Sequence, residues 1–380
     1  MTSLITIKGI KQDKRAFNIE WSDGHKSTFH YMWLRDNCPL DIHPTARERT
    51  FNFMSVSLDI HPQDYSITSD GILKVNWSEG ANVSEYSSEW LRHNCYTLKN
   101  LKPYQSPYHL WDSSLMSSMD KIAIDCDEIM SGDEGILKWL SQLHHYGISV
   151  VENAPIANKS GYEVLKKISH CRETFFETPF EVINIPNPNN SAYTALGLHN
   201  HLDLPYYDVP PGYQFLHCLI NDAQGGQSLA VDGFKVTTYM QTNHPDLFNA
   251  LVEIPVKFCN QDYTQDTIRV QHAPLIGLNK DKDFNEIRFS IAYMGVMDCA
   301  PDKMDLFYRA YRIFADLIHD ERFAIKFRMK AGDIFSFNNR RILHGRTEYD
   351  PNSGKRHLQG YYLDRDEILG RLNYLQKIRV

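Results

Sequence analysis

Two short segments, far apart in the chain, contain side chains that could bind one metal ion together. His201 and Asp203 are two positions apart, and His344 lies in the later segment 342–346. Residues two apart on a strand point to the same face, so His201 and Asp203 could both contact one ion. Two imidazoles and one carboxylate are the ligand set of non-haem Fe(II) oxygenases, and they leave coordination positions open. The pattern therefore predicts an iron site that admits oxygen and an oxidisable acid.

An arginine close to the second segment could bind that acid. His344 is predicted to end a strand, and the turn at 350–354 can bring Arg356 back alongside it. The planar guanidinium of Arg binds both oxygens of a carboxylate at once. We interpret Arg356 as the partner of a carboxylic co-substrate. His199 competes with His201 as first ligand, but no acid follows it two positions later, so we assign it an orienting or packing role.

The elements that must position these side chains are mostly strands. Short apolar runs between turn residues predict strands, and two amphipathic patterns predict helices near 234–251 and 302–319. This order predicts a mainly β fold with flanking helices, a double-stranded β-helix of the jelly-roll type that is open at one mouth. The clearest predicted strands are 147–151, 212–217, 228–231, 287–291 and 334–337.

The first hundred residues have a different character, with short strands and polar turns that predict a small β-rich domain. Two similar runs, 33–38 and 90–95, predict comparable corners of one core. Between Leu101 and Ser118 the sequence is rich in Pro, Ser, Tyr and Trp and has no clear periodicity, which indicates a linker. We therefore predict domains at 1–105 and 106–380.

Composition excludes several classes of partner. The 380 residues have a formal net charge of -7 and a pI near 6.2, without the clustered Lys and Arg that nucleic acid or anionic lipid requires. No apolar segment approaches the roughly 18 residues needed to cross a membrane. The seven cysteines are scattered and odd in number, which indicates reduced thiols. We expect a cytoplasmic protein with a small-molecule substrate.

Ordered motifs along nearly the whole chain carry a resemblance to a known family. They are Trp33-Leu34-Arg35-Asp36-Asn37-Cys38, Asn190-Ser191-Ala192-Tyr193-Thr194, Gln214-Phe215-Leu216-His217-Cys218, Gly225-Gly226-Gln227-Ser228, Val231-Asp232-Gly233-Phe234, Leu343-His344-Gly345-Arg346 and Arg356-His357-Leu358. With these motifs the chain resembles the γ-butyrobetaine hydroxylase and trimethyllysine hydroxylase family of Fe(II)/2-oxoglutarate dioxygenases.

The resemblance implies roles for individual residues. It implies that His201, Asp203 and His344 bind Fe(II), and that O2 and 2-oxoglutarate are co-substrates. Arg356 would pair with the far carboxylate of 2-oxoglutarate, and Ser228 would help to hold the same carboxylate. Hydroxylation of the substrate would then be coupled to formation of succinate and CO2.

The resemblance also points to a small cationic substrate. Relatives surround a trimethylammonium group with aromatic rings, because ring faces attract a cation that cannot donate hydrogen bonds. Asn190 is present at a substrate-binding position, but the chain lacks the paired asparagines that butyrobetaine hydroxylases carry after Arg288. We therefore expect a γ-butyrobetaine-like substrate, with a trimethylammonio- or aminoalkylphosphonate as the alternative. The positions that match the aromatic cage are Phe176, Phe180, Tyr193 and Tyr362.

The small domain departs from its relatives at their zinc site. Many of them carry a Cys-Pro-Cys-x-x-Cys run and a remote His, whereas segment 38–43 contains a single Cys, so no structural zinc is predicted. Cys38 and Cys95 are expected to pack in the core rather than to pair. Relatives with this domain suggest a homodimer. Two other classes stay open at this point, a non-catalytic binding protein on the same fold and a cupin-like metal enzyme without a co-substrate arginine.

Overall fold

The chain separates into two compact units, Met1–Gln105 and Ser106–Val380. A computed structural model describes residues 5–80, 83–97, 107–184 and 194–377. Each unit contains a hydrophobic core of its own.

The first unit repeats one arrangement twice, a three-stranded antiparallel sheet followed by a short helix. The two similar Trp-Leu runs fall on these helices. Leu34 and Leu91 are fully buried, and the rings of Trp33 and Trp90 lie 5.7 Å apart. The echo in the sequence therefore marks a structural repeat. The elements are β1 (Ile7–Gln12), β2 (Ala16–Trp21), β3 (Lys26–His30), α1 (Tyr31–Asp36), β4 (Pro62–Ile67), β5 (Ile72–Trp77), β6 (Ser84–Ser87) and α2 (Ser88–His93).

The two copies also resemble each other in a tryptophan that ends the middle strand of each sheet. The indole N–H of Trp21 donates to Ser27 Oγ at 2.8 Å, and that of Trp77 donates to Ser84 Oγ at 2.9 Å. Both indoles are buried, and a buried N–H must find an acceptor. In both copies, a serine of the neighbouring strand supplies this acceptor.

The two cysteines of the repeated runs are buried in the core of the first unit. Cys38 and Cys95 do not form a disulfide. The thiol of Cys95 lies 2.9 Å from Ser27 Oγ and 2.8 Å from Thr97 Oγ1. Both side chains therefore pack, as the sequence predicted.

The second unit contains most of the strands and helices of the chain. Its strands are β7 (Ala123–Asp125), β8 (Ile148–Glu152), β9 (Phe180–Ile183), β10 (Leu198–His201), β11 (Tyr213–Asn221), β12 (Gln224–Gly225), β13 (Ser228–Asp232), β14 (Val256–Asp262), β15 (Thr267–Ala273), β16 (Ile276–Leu278), β17 (Phe284–Ile287), β18 (Ala324–Phe327), β19 (Ile334–Asn338), β20 (Ile342–Arg346), β21 (Tyr349–Asp350) and β22 (Arg356–Leu363). Its helices are α3 (Cys126–Ser131), α4 (Asp133–His145), α5 (Ser160–Leu165), α6 (Gly233–Asn243), α7 (Pro245–Glu253), α8 (Pro301–Ile318) and α9 (Arg365–Leu375).

Two sheets of this unit pack around a shared core. The larger has the strand order β7-β8-β19-β11-β22-β9, and the smaller has the order β10-β20-β13-β18. The chain passes repeatedly from one sheet to the other, for example from β18 to β19 and on to β20. Phe335 of the larger sheet and Ile342 of the smaller one lie in the same apolar cluster. This arrangement confirms the predicted double-stranded β-helix with flanking helices.

Strand β19 shows why the larger sheet is stable at its centre. All five of its residues are buried. Phe335 and Phe337 face the smaller sheet, while Ile334 belongs to the cluster that contains Trp139 of α4. Side chains of a strand alternate between its faces, so a strand covered on both faces is apolar at nearly every position. The run of residues 334–337 was therefore recognised correctly as a strand.

The helix predicted over 234–251 is two helices. Helix α6 ends at Asn243, and α7 begins at Pro245. Proline has no backbone N–H and suits the first turn of a helix, so it starts a second helix instead of continuing the first. The helix predicted at 302–319 is confirmed as α8, and its Phe307 and Phe314 are fully buried.

The strand predicted at 287–291 was wrong. Strand β17 ends at Ile287, and residues 291–293 form a 3-10 turn. The buried side chain of Arg288 donates to Glu286 Oε1 at 2.5 Å and to the backbone oxygen of Tyr207 at 2.9 Å. The backbone N–H of Arg288 donates to the oxygen of Leu275 at 2.8 Å. Long-range bonds therefore anchor the segment beyond the strand, and apolar periodicity cannot reveal them.

A buried ion pair joins the start of β20 to the junction of β13 and α6. Arg341 Nη2 lies 2.8 Å from Asp232 Oδ2, and Nε lies 3.0 Å from Oδ1, with both side chains fully buried. Two further N–H groups donate to the backbone oxygens of His145 and His109, each at 2.9 Å. Four of the five N–H groups of this guanidinium are therefore hydrogen-bonded, and they connect Arg341 to three other segments of the unit.

We predict that Arg341→Leu lowers the free energy of unfolding by about 3–5 kcal/mol, because the buried charge of Asp232 would lose its countercharge. Urea unfolding of the two proteins measures the difference. The matched control is Arg322→Leu, which breaks an exposed pair with Asp320 and should change the free energy of unfolding by less than about 0.5 kcal/mol. Equal losses in both variants would contradict the structural role of Arg341.

Candidate functional site

The pairing of β10 with β20 brings two histidines side by side. His201 ends β10 and lies opposite His344 of β20, with their ring centroids 4.4 Å apart. Asp203 Oδ1 lies 3.2 Å from His201 Nε2 and 3.8 Å from His344 Nε2. One ligand atom from each residue lies within 4.8 Å of the others, and the described residues contain no second group of three or more such side chains. The structure thus brings the three predicted ligands together.

Two details of their placement differ from the sequence prediction. His344 lies in the middle of β20 instead of at its end, and Asp203 lies beyond the end of β10. Strand alternation therefore does not place Asp203. Leu204 has a left-handed φ of 58°, and Leu202 and Leu204 are both buried in the core on either side of the carboxylate. The turn after β10 is what presents Asp203.

The side chain of Asn339 fixes this turn. Its Oδ1 accepts from the backbone N–H of Asp203 at 3.0 Å, and its Nδ2 donates to the backbone oxygens of Asp203 and Pro211, each at 3.1 Å. Asn339 is fully buried. Sequence reasoning missed this residue, although a polar pair at 338–339 directly after an apolar strand was a usable signal.

His201 is oriented by the residue that competed with it. The backbone oxygen of His199 lies 2.8 Å from His201 Nδ1, which leaves Nε2 directed toward Asp203. The exposed ring of His199 stacks edge-on against His319, with centroids 5.2 Å apart. His199 thus contributes its backbone to the cluster, while its imidazole lies outside it.

Burial and mutual contacts set the protonation of the cluster. Burial and the neighbouring His201 lower the pKa of His344 to about 3, so this imidazole is neutral. Burial opposes ionisation of Asp203, but the hydrogen bond from His201 and the charge of the two imidazoles hold its pKa well below the usual range. The pKa of His201 is raised, because Asp203 outweighs the effect of burial. Neutral imidazole and ionised carboxylate are the forms that bind metal, and a metal would displace the proton that His201 and Asp203 share.

Arg356 supplies a buried cation with unused donors. It begins β22, where it pairs with Asn221 of β11. Its Nε and Nη1 are buried, and neither has a hydrogen-bond partner among the described residues. Burial and the nearby Arg346 lower the pKa of Arg356 to about 10, so the guanidinium stays charged at neutral pH. Two unpaired N–H groups on a buried cation fit a bound carboxylate.

The surroundings of Arg356 leave room for such a group. The guanidinium lies over the ring of Tyr349, with its central carbon 5.5 Å from the ring centroid. A Cβ at Gly226 would lie 3.1 Å from Arg356 Nε, and the φ of Gly226 is 66°, which disfavours other residues there. Ser228 follows two positions later as the first residue of β13 and is buried. Arg356 therefore lies next to Gly226 in space, and Ser228 lies two residues after the same glycine in the sequence.

A cavity of about 250 Å³ opens beside the metal-binding cluster. Phe180 and Tyr362 stack in its wall with their ring centroids 5.0 Å apart, and the ring of Phe176 lies 5.8 Å from that of Phe180. Tyr293 also lines the cavity and was missed from the sequence, which did not predict the 3-10 turn that carries it. Of the predicted substrate-binding residues, Asn190 and Tyr193 lie outside the described residues.

The comparisons with known proteins agree with this architecture. Residues 112–362 match the family described as taurine catabolism dioxygenase TauD, TfdA family, and residues 9–92 match the gamma-butyrobetaine hydroxylase-like N-terminal family. Gamma-butyrobetaine dioxygenase of Pseudomonas sp. (strain AK-1) is 36% identical over 365 residues, which cover 95% of this chain and 94% of that protein.

Human relatives are more distant. Gamma-butyrobetaine dioxygenase of Homo sapiens is 29% identical, with 94% of each chain covered. The mitochondrial trimethyllysine dioxygenase of Homo sapiens is also 29% identical, with 91% of this chain and 82% of that protein covered.

Among solved structures, an asparagine oxygenase in complex with Fe(II), a hydroxyasparagine and succinate has a TM-score of 0.48 at 14% identity, covering 64% of this chain and 93% of that chain.

A double-stranded β-helix with this cluster of two histidines and one aspartate defines an iron- and 2-oxoglutarate-dependent dioxygenase. The chain belongs to the taurine catabolism dioxygenase TauD, TfdA family. Among the described residues, every helix is too short or too polar to span a bilayer.

We predict that Asn339→Ala weakens metal binding about tenfold, because the backbone of Asp203 would lose two hydrogen bonds. Calorimetric titration with Co(II) measures the affinity. Asn338→Ala is the matched control, since Asn338 is also buried and its Oδ1 accepts from the backbone N–H of Arg340 instead of Asp203. Equal Co(II) affinity in wild type and Asn339→Ala would contradict this role.

Proposed function

We propose that this enzyme hydroxylates a C–H bond of a small acid that carries a quaternary ammonium group, with γ-butyrobetaine as the first substrate to test. The observation that carries the proposal is that one cavity is lined both by His201 and Asp203 and by the aromatic rings of four Phe and Tyr residues. Relatives named for γ-butyrobetaine align over nearly the whole chain.

His201, Asp203 and His344 are proposed to hold Fe(II). Their donor set of two nitrogens and one oxygen suits this ion, and three ligands leave three of six coordination positions open. When bound, the iron with O2 and 2-oxoglutarate supplies the oxidation that turns C–H into C–OH and releases succinate and CO2. The side chains of the protein supply orientation, charge and exclusion of water.

Arg356 and Ser228 are proposed to bind the far carboxylate of 2-oxoglutarate. The unused Nε and Nη1 of Arg356 would then find acceptors, and the repulsion between Arg356 and Arg346 would be reduced by an anion. The cost of burying two cations close together supports an anionic occupant at this place.

Phe176, Phe180 and Tyr362, together with Tyr193, are proposed to surround the ammonium group. Each ring face contributes about 0.5–2 kcal/mol to binding of a cation that has lost its water. A cage at a fixed distance from the iron would select which carbon is presented for oxidation. Misplacement of the reacting carbon by about 1 Å can lower the rate on the order of 100-fold.

The acid end of the substrate defines a second candidate. Residues 290–293, which stand where butyrobetaine hydroxylases carry paired asparagines, line the cavity, and its described lining includes neither Lys nor Arg. Asn190 is proposed to contribute at this end. A trimethylammonio-phosphonate has a third acceptor oxygen and is the alternative substrate class.

A homodimer and a cytoplasmic location stay predictions from the sequence. Light scattering of the purified protein determines the first, and a fluorescent fusion in its own cell type determines the second.

The substrate proposal is tested by succinate release with γ-butyrobetaine, trimethyllysine and a trimethylammonio-phosphonate, each with Fe(II), 2-oxoglutarate and O2. We expect substrate-dependent release with one of these compounds and none in His201→Ala. The sharp control is 5,5-dimethylhexanoate, in which carbon replaces the nitrogen of γ-butyrobetaine at nearly the same shape. It should bind at least about tenfold more weakly, since ring faces attract the charge. Equal succinate release with 5,5-dimethylhexanoate would contradict the proposed aromatic cage.

We predict that Arg356→Gln raises KM for 2-oxoglutarate about 10–100-fold, the equivalent of losing charge-assisted hydrogen bonds of about 1.5–3 kcal/mol. The KM of Arg356→Lys for 2-oxoglutarate should lie between those of wild type and Arg356→Gln, because lysine keeps the charge and lacks the planar guanidinium. Initial rates at varied 2-oxoglutarate measure the effect. KM for the cationic substrate is the internal control and should change less than about threefold. A larger effect on that KM than on the KM for 2-oxoglutarate would assign Arg356 to the substrate instead.

A further inference from the structure

Tyr362 contacts both the cavity and a residue of the metal-binding cluster, and a role in the aromatic cage does not require the second contact. Its ring lines the cavity, and its hydroxyl donates to Asp203 Oδ2 at 2.7 Å. The side chain is 3% exposed.

The hydrogen bond divides the carboxylate of Asp203 into two different oxygens. Oδ1 faces His201 Nε2 and His344 Nε2, whereas Oδ2 accepts from Tyr362. Among the described residues, Tyr362 is the hydrogen-bond donor found on Oδ2. Asn339 holds the backbone of Asp203, but the carboxylate could still rotate about its last bond.

Rotation would matter for the iron. A carboxylate can bind a metal through one oxygen or through both. With two imidazoles and one carboxylate oxygen as ligands, three of six positions would stay open for 2-oxoglutarate and O2. If Asp203 also used Oδ2, one of these positions would be lost.

We propose that Tyr362 is a positioning residue that keeps Asp203 bound to the metal through Oδ1 alone, and that it does so from the wall of the substrate cavity. This inference rests on the proposed metal site. The proposal links the substrate cavity to the metal-binding cluster. The ring of Tyr362 would face the cation, and the hydroxyl of the same ring holds Asp203. A cation on the ring face draws electron density from the ring and strengthens the O–H donor, so a filled cage tightens the hold on Asp203.

The backbone around Tyr362 makes this link rigid. Tyr362 pairs with Gln214 of β11, and its backbone oxygen accepts from the N–H of Arg172 at 2.8 Å. On its ring side, Phe180 stacks with an interplanar angle of 27°. The position of the hydroxyl is therefore set by the sheet and does not depend on a mobile loop.

Tyr362→Phe tests the proposal, because it removes the hydroxyl and keeps the ring. The matched control is Tyr206→Phe. Tyr206 is 2% exposed, and its hydroxyl is buried without a hydrogen-bond partner among the described residues. Both variants thus lose one buried phenol oxygen near the cluster, and one of them loses the bond to Asp203. Thermal unfolding of both variants checks that they fold.

The first measurement is anaerobic titration of the purified proteins with Co(II), followed by visible absorption. We expect Tyr362→Phe to bind Co(II) about 10-fold more weakly with an altered spectrum, in the range found when partners of metal ligands are removed, and Tyr206→Phe to match wild type. Wild-type affinity and spectrum in Tyr362→Phe would overturn the positioning role. Failure of wild type to bind Co(II) would overturn the proposed metal site as well, so the two failures are distinguishable.

The second measurement separates positioning from a cage role. With Fe(II), 2-oxoglutarate and γ-butyrobetaine, Tyr362→Phe should lower kcat and raise the amount of succinate formed per hydroxylated product, while KM for γ-butyrobetaine changes less than about threefold. Phe180→Leu should do the reverse, with a higher KM and little change in this ratio. A Tyr362→Phe variant that raises KM alone would show that the hydroxyl serves substrate binding instead of positioning Asp203, and the proposal would fall.

Discussion

The antiparallel pairing of β10 with β20 is the constraint on which the site depends. It places His201 opposite His344, so that two imidazoles from distant parts of the sequence reach one point. Neighbouring strands in a sheet lie about 5 Å apart, which is the spacing that two ligands of one ion need. A slip of the register by one residue would turn one histidine to the opposite face of the sheet.

The remaining parts of the site are held by polar groups that the core isolates from water. Asn339 fixes the backbone of Asp203, Tyr362 fixes its carboxylate, and Arg356 keeps a buried charge with unused donors. Polar groups buried without partners cost stability, and the fold tolerates this cost where a ligand will later satisfy them. The same low dielectric that makes Arg356 costly strengthens its attraction for an anion.

Much of the fold was accessible from pattern alone, and the failures have local causes. Strands such as β19 were recognised because a strand covered on both faces is mostly apolar, and α8 because its buried face repeats at helical spacing. The helix over 234–251 was broken at Pro245, and the strand that ends at Ile287 is followed by a segment whose Arg288 side chain bonds to distant carbonyl groups. Long-range polar bonds of this kind leave no periodic trace.

The sequence by itself determined the chemistry of this protein. The types and order of His201, Asp203, His344 and Arg356 predicted iron and 2-oxoglutarate, because few side chains can serve as these ligands. Tertiary structure decided how the groups are presented. Asp203 is oriented by a left-handed turn and by Asn339, and Tyr362 contacts both cavity and carboxylate. Such contacts join residues more than a hundred positions apart, and only packing of the two sheets determines which distant side chains meet.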